Sequence, residues 1–251
     1  MRWALITDIH ANRQALEAVL ADARAQGCER YGLLGDYVGY GGDPAWVIDQ
    51  VRELVAQGAV AVQGNHDSAV TQGALPTMRE DARTAVSWTR DRLNPEQLRF
   101  LAELPLSRSE GECLFVHANA YDPEGYEYIQ GRLEAMRSLQ ATRAHYTFCG
   151  HMHEPMLYHL SGTGKAGDFR PVAGVEIPLL SHRQWLAIPG SCGQPRDGNP
   201  AACYAVFDSE RGLLSFQRVP YDVEGAAASI LASGLPEPVA QRLASRLARG
   251  E

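Results

Sequence analysis

The chain has 251 residues, of which 45% are hydrophobic and 21% charged, and a formal net charge of −7. The length suits one α/β domain over residues 1–251, and the ordinary composition excludes a fibrous or disordered chain. The acidic balance argues against an extended nucleic-acid footprint, though not against a small nucleotide, and no apolar run approaches the ~18 residues of a membrane span.

Short apolar runs mark five early strands: Trp3 to Thr7, Tyr31 to Leu34, Ala59 to Val62, Leu114 to Val116 and Tyr146 to Cys149. No basic segment followed by an apolar stretch precedes the first, so no secretory leader is expected. Between the first two, Ala15, Leu16, Val19, Leu20 and Ala23 recur at helical spacing, closed by Gly27. Trp46, Val47, Val51, Leu54 and Val55 form the next such stripe, closed by Gly58. Strand–helix–strand repetition with short joints predicts parallel pairing. Residues from about Met78 to Leu104 read as a helical insertion of two helices, split where Asn94 caps Pro95. A short helix is expected from Arg132 to Gln140.

After His153 the long helices stop. Strands are expected at Pro155 to Leu160, Trp185 to Ile188, Ala201 to Phe207 and Leu213 to Val219, with Glu210-Arg211-Gly212 turning the last pair into a hairpin. The Gly-rich segment Ser161 to Gly174 reads as an exposed loop. The tail reads as two helices, Glu224 to Ser233 and Pro236 to Arg249. The five cysteines, Cys28, Cys113, Cys149, Cys192 and Cys203, are odd in number and contain no C-x-x-C. They read as buried thiols in a reducing compartment, so a cytoplasmic location is expected.

Each early strand ends in a polar motif: Asp8-Ile9-His10, Gly35-Asp36, Gly64-Asn65-His66-Asp67, His117 and Gly150-His151-Met152-His153. Loops leaving the carboxyl ends of strands in an α/β sheet line one crevice. Taken singly, each motif also reads as something plainer: a helix cap beside a surface histidine, a βα-turn aspartate, a polar turn, a sheet-edge histidine. Taken together they place carboxylates, an amide oxygen and imidazoles on one spot, as a pair of divalent ions requires. His66 reads as the titratable group beside that site, with Asp67 orienting its ring. His145, His159 and His182 lie outside the motifs and read as structural or surface.

The ordered set D-x-H, G-D, G-N-H-D, H and G-H-x-H over residues 8–153 resembles the calcineurin-like metallophosphoesterase superfamily. The resemblance implies a four-layer αββα sandwich of two mixed sheets flanked by helices. It also implies that Asp8, His10, Asp36 and His153 hold one metal ion and that Asp36, Asn65, His117 and His151 hold the other. Asp8 to Asn12 and the segment Pro189 to Arg196 resemble the small prokaryotic phosphodiesterase branch. The family's monoesterases and dinucleoside tetraphosphatases carry G-D-x-x-x-R-G, and here Tyr40 stands where that arginine would be. A guanidinium fork suits a monoester dianion, so its loss favours diesters or small nucleotides. Asn12, Tyr40 and Arg196 are the candidate substrate contacts.

The expected chemistry is metal-assisted hydrolysis by a metal-bridging hydroxide, with His66 and Asp67 as the catalytic pair delivering a proton to the leaving oxygen. Mixed nitrogen and oxygen ligands without thiolate favour Mn²⁺, with Fe, Ni²⁺ or Zn²⁺ also suited. The expected partner is a small phosphate-ester or nucleotide substrate, with no membrane and with homo-oligomerisation left open. The rival readings are a phosphomonoesterase or protein phosphatase, a dinucleoside polyphosphate hydrolase, an exonuclease, and a non-catalytic scaffold of the same fold.

Overall fold

The computed structural model describes residues 1–74, 78 and 80–251. Its strands are β1 (Arg2–Ile6), β2 (Arg30–Leu33), β3 (Val60–Ala61), β4 (Ser107–Glu110), β5 (Cys113–Val116), β6 (Tyr146–Phe148), β7 (Met156–Ser161), β8 (Ala166–Phe169), β9 (Glu176–Pro178), β10 (Arg183–Ile188), β11 (Ala202–Asp208) and β12 (Leu213–Val219). Its helices are α1 (Arg13–Ala25), α2 (Pro44–Ala56), α3 (Asn65–Gln72), α4 (Glu80–Arg90), α5 (Pro95–Glu103), α6 (Arg132–Gln140), α7 (Val223–Ala232) and α8 (Glu237–Arg249). None of the described helices is long and apolar enough to cross a membrane.

Two six-stranded sheets form, in the orders β3-β2-β1-β11-β12-β9 and β4-β5-β6-β10-β7-β8. Both are mixed. In the first, β1, β2 and β3 run parallel while β11 pairs antiparallel to β1. In the second, β5, β6 and β10 run parallel while β4 and β7 pair antiparallel at either side. Side-chain alternation along β1 shows how the layers are held. Trp3 and Leu5 enter a core between the sheets with Phe115, Phe148, Trp185 and Phe207. Ala4 and Ile6 face the other way, onto Leu16, Val19, Val47 and Val51 of α1 and α2. On the outer face of the second sheet, α6 packs Ala135 and Leu139 against Val116, Leu186 and Ile188. The result is the expected αββα sandwich.

The helix boundaries follow from local chemistry. The Asn12 side chain accepts from Ala15 N–H to cap α1, and Gly27 beyond its end takes φ +72. Asn94 and Gln97 form a reciprocal capping box at α5. The expected helical pair after Met78 is α4 and α5, packed against α3 and α2; Arg79 lies outside the described residues. The hairpin at Glu210 to Gly212 joins β11 and β12 with Asp208 opposite Leu213.

Four features depart from the sequence reading. The segment expected as an exposed loop, Ser161 to Gly174, contains β8, which pairs with β7 through Leu157 to Leu160. Two short strands, β4 and β9, arise where no apolar alternation marks them; each pairs with a single neighbour at the end of its sheet. The residues after Gly64 form the first turn of α3 rather than a turn or loop. Finally, the five motifs leave two sheets, not one. β1, β2 and β3 deliver three motifs, β5 and β6 the other two, and the crevice lies between the paired strand ends.

Candidate metal centre

Five of the motif residues hold the left-handed backbone: Asp8 at φ 51, His10 at 49, Asp36 at 54, His151 at 67 and His153 at 60. Side chains other than glycine avoid this region, at a cost of about 1–2 kcal/mol each. The surrounding contacts hold it. Asp8 N–H donates to Gly35 C=O, His10 N–H to Asp36 C=O and Gly150 N–H to His117 C=O, at 3.1, 2.9 and 2.8 Å. Two glycines make the close approach possible. A Cβ on Gly35 would lie 2.7 Å from the Gly64 nitrogen, and one on Gly64 would run into the Asp36 carboxylate.

These loops bring one set of atoms together. Asp8, His10, Asp36 and His153 offer converging ligand atoms, and Asp36, His117 and His151 offer a second group sharing Asp36. Asn65 Oδ1 joins the second group, 3.1 Å from His117 Nε2. Asp36 Oδ2 stands between the groups, 3.7 Å from His10 Nε2 and 3.4 Å from His117 Nε2. Asp8 Oδ1 is 3.4 Å from His153 Nε2. The other carboxylate contacts are donors from the protein. Thr7 Oγ1 and His151 N–H donate to Asp8, and His66 N–H donates to Asp36 Oδ1.

The ring nitrogens show what the cluster fits. His10 Nδ1 lies 3.0 Å from Val38 C=O, His117 Nδ1 2.7 Å from Leu34 C=O, and His153 Nδ1 2.6 Å from Gln194 C=O. A carbonyl only accepts, so each Nδ1 carries a proton and each Nε2 is the nitrogen turned inward to the cluster. Yet His10 Nε2 and His153 Nε2 are 3.1 Å apart, and His117 Nε2 is 3.2 Å from His151 Nδ1. Ring nitrogens this close in a buried site call for a cation between them, a proton or a metal ion. Two carboxylates, an amide oxygen and four imidazoles suit divalent ions with nitrogen and oxygen preference.

Burial pushes the His10 imidazole well below its usual range, with His153 adding to the effect, and pushes His151 down to about 3. Burial also opposes ionisation of Asp36, but His117 and His66 outweigh it and hold its carboxyl well below the usual range. At His117 burial favours the neutral ring, and Asp36 overrides it, raising the imidazole to about 9.

His66 is buried beside the cluster, its ring centroid 4.6 Å from that of Tyr40 and 4.9 Å from that of His10. Its Nδ1 has no hydrogen-bond partner among the described residues. Burial holds its pKa down to about 4, with Asp36 opposing. Asp67, expected to orient this ring, makes its hydrogen bonds elsewhere. Asp67 Oδ2 accepts from Asp36 N–H and Gly64 N–H at 2.8 and 2.9 Å, and Oδ1 from Tyr37 N–H at 2.9 Å. From the first turn of α3 the side chain reaches back to the neighbouring loop and stitches the second and third motifs together. Asn12, expected at the substrate, has its side chain engaged within the protein. Its oxygen caps α1 and its amide donates to Gly193 C=O at 2.9 Å and the Tyr221 hydroxyl at 3.2 Å.

Above the cluster lies a cleft of about 580 Å³, whose lining includes Asn65, His66, His151, Tyr40 and Arg196. The Arg196 guanidinium sits 6.0 Å over the Tyr40 ring and donates to Gln194 Oε1 at 3.0 Å. Tyr126, Tyr128 and Arg246 line the same cleft and carry no motif. The two tyrosines sit two apart in a Pro/Gly-containing loop, a pattern without periodicity to separate it from any exposed loop. Arg246 lies on a C-terminal helix whose approach to the site only the fold reveals. All five cysteines are buried and unpaired, and His145, His159 and His182 contribute no atom to the cluster.

The chain matches the model of the calcineurin-like phosphoesterase superfamily domain over residues 1–212. It is 34% identical over 245 residues to an uncharacterised protein of Methanocaldococcus jannaschii, with 96% of each chain covered. The crystal structure of a metallophosphoesterase from Sphaerobacter thermophilus superposes with a TM-score of 0.85 at 36% identity, covering 100% of both chains. A hypothetical protein of Pyrococcus horikoshii OT3 shares the fold at 20% identity, with a TM-score of 0.76 over 96% of this chain and 97% of its own.

Proposed function

The chain belongs to the calcineurin-like phosphoesterase superfamily, and on that premise we propose that it hydrolyses a small phosphodiester or nucleotide at a pair of divalent metal ions. The observation that carries this reading is the inward convergence of His10, His117 and His153 Nε2 on Asp8 and Asp36 beneath an open cleft. Asp8, His10, Asp36 and His153 would hold one ion, and Asp36, Asn65, His117 and His151 the other. Mn²⁺ is the favoured metal for this donor set, with Fe, Ni²⁺ or Zn²⁺ also suited. When bound, such ions neutralise phosphoryl oxygens and lower the pKa of a coordinated water.

The chain's own groups supply the rest. His66 lines the cleft, and its buried Nδ1, against Gly39, has no hydrogen-bond partner among the described residues. It acts as the proton donor to the leaving oxygen, charged once an anionic substrate stands beside it to offset its buried setting. Asp67 fixes the loop that presents Asp36. Arg196 pairs with a phosphoryl oxygen. Tyr40, seated against His10 and His66, occupies the position of the monoesterase arginine, so the site offers fewer fixed cations for a dianionic monoester. Diesters are therefore the preferred class.

The test is a metal-reconstituted screen of matched diesters, monoesters and nucleotides with the wild type and Asp36→Asn. Wild type is expected to turn over diesters with Mn²⁺, and the variant to lose most of that activity together with bound metal. Full double metal occupancy and full activity in Asp36→Asn would remove the assignment. A wild-type preference for simple monoesters by more than about tenfold, roughly 1.4 kcal/mol, would favour the phosphatase alternative.

A further inference from the structure

The cleft has a second wall that lies beyond residue 212, where the family match ends. Helices α7 and α8 form a small core of their own, with Ile230, Val239, Leu243 and Leu247 packed around Trp88. At the end of α8 the chain turns back on the loop that carries Arg196. Gly250 takes φ +67, its C=O accepts from Gly198 N–H at 3.0 Å, and a Cβ there would lie 2.6 Å from the Asn199 nitrogen. This joint brings Arg246, half-buried, into the cleft lining alongside Arg196.

Neither arginine has a carboxylate within ion-pair distance among the described residues, although the chain carries more acidic than basic side chains. The one carboxylate in the described lining, Glu251, is paired with Arg249 at 2.9 Å. Two guanidiniums left unpaired in one cleft are suited to anionic oxygens. In the same lining, the Tyr128 ring stacks on His151 with centroids 4.0 Å apart and planes at 13°, and 44% of the residue remains exposed. Tyr126 brings to the same cleft a buried hydroxyl without a hydrogen-bond partner among the described residues. The volume is in the range that accepts a nucleotide-sized ligand.

We propose that Arg246 is a specificity-determining residue of this centre: from α8 it binds a second phosphate, beyond the one at the metal cluster, on a nucleoside diphosphate-type substrate whose base can lie on Tyr128. The proposal rests on the phosphoesterase reading above and narrows its substrate class. A charged phosphate contact of this kind is worth roughly tenfold in affinity or more.

The experiment is equilibrium binding of AMP and ADP to the Mn²⁺-loaded protein by calorimetry, comparing wild type, Arg246→Gln and Arg246→Lys, with hydrolysis of bis(p-nitrophenyl) phosphate followed on the same wild-type sample. Arg246→Gln is expected to weaken ADP by about tenfold while weakening AMP by much less, and Arg246→Lys to restore part of the ADP affinity. Equal losses for both nucleotides, or no loss for either, would overturn the proposal. If wild type fails to cleave the diester yet the ADP-selective loss persists, the second-phosphate site stands and the hydrolase reading falls.

Discussion

His66 belongs to neither ligand group, and its Nδ1 has no hydrogen-bond partner among the described residues. On the proposed mechanism, His66→Ala keeps its metals but loses about 10²–10⁴-fold in rate, the usual worth of acid–base help. The loss should shrink with a nitrophenolate leaving group, which needs little protonation. Metal analysis of the variant checks this directly, since depletion would make His66 a ligand. Tyr40 is the other residue whose identity carries specificity. It already holds φ 64 beside His66. Tyr40→Arg is expected to move the diester-to-monoester ratio of kcat/KM toward monoesters by about tenfold, one fixed ion pair's worth. An unchanged ratio would detach this position from substrate choice. His66 and Asp36 were legible as short motifs. The use of Asp67 and Asn12 was not, because both are short polar side chains whose partners are backbone groups brought near by the fold.

Helix α3 shows how an element places a site. Its first turn supplies Asn65 toward His117, the His66 ring toward the cleft, and the Asp67 carboxylate toward the Asp36 loop. Asp67 accepts three backbone N–H groups that are otherwise buried. Removing it leaves them unsatisfied, at about 1–3 kcal/mol each. Asp67→Ala should therefore cost roughly 3 kcal/mol or more of stability, read as a lower urea midpoint, along with activity. A rate loss with an unchanged midpoint would instead restore the ring-orienting role to Asp67. The sequence marks this element poorly. Asn, His and Asp are weak helix formers, and the run of eight residues has too little apolar periodicity to show. The helices with clear stripes, α1 and α2, and the capped α5 appear where the pattern and caps place them.

For the whole molecule, the centre sits where two sheets present their strand ends, so metal binding ties one layer to the other. Asp8 and Asp36 come from the first sheet, His117, His151 and His153 from the second. Without ions, imidazoles and carboxylates converge in a buried space. Chelation of the reconstituted protein is expected to lower Tm, because a ligand at a hundredfold its Kd contributes about 2.7 kcal/mol. For a chain of this size that corresponds to roughly 5–10 °C. Differential scanning calorimetry with and without chelator reads it, and an unchanged Tm would mean that the cluster holds no ion tightly.

The sequence by itself determined the strand ends, the order of the motifs and the residue types at the centre, because buried strands read as apolar runs and metal chemistry restricts its ligands to few side chains. It also determined the capped and periodic helices, since caps and stripes are local. Tertiary structure decided that the motifs leave two sheets. It also formed β4, β8 and β9, whose strands exist through pairing with neighbours rather than through their own alternation. It decided which way each imidazole turns, since a carbonyl distant in the chain, such as Leu34 for His117 or Gln194 for His153, holds each Nδ1. And it alone carried Arg246 to the cleft, because no local signal connects residue 246 with a site built from residues 8–153; the packing of α8 on the Asn199 loop does.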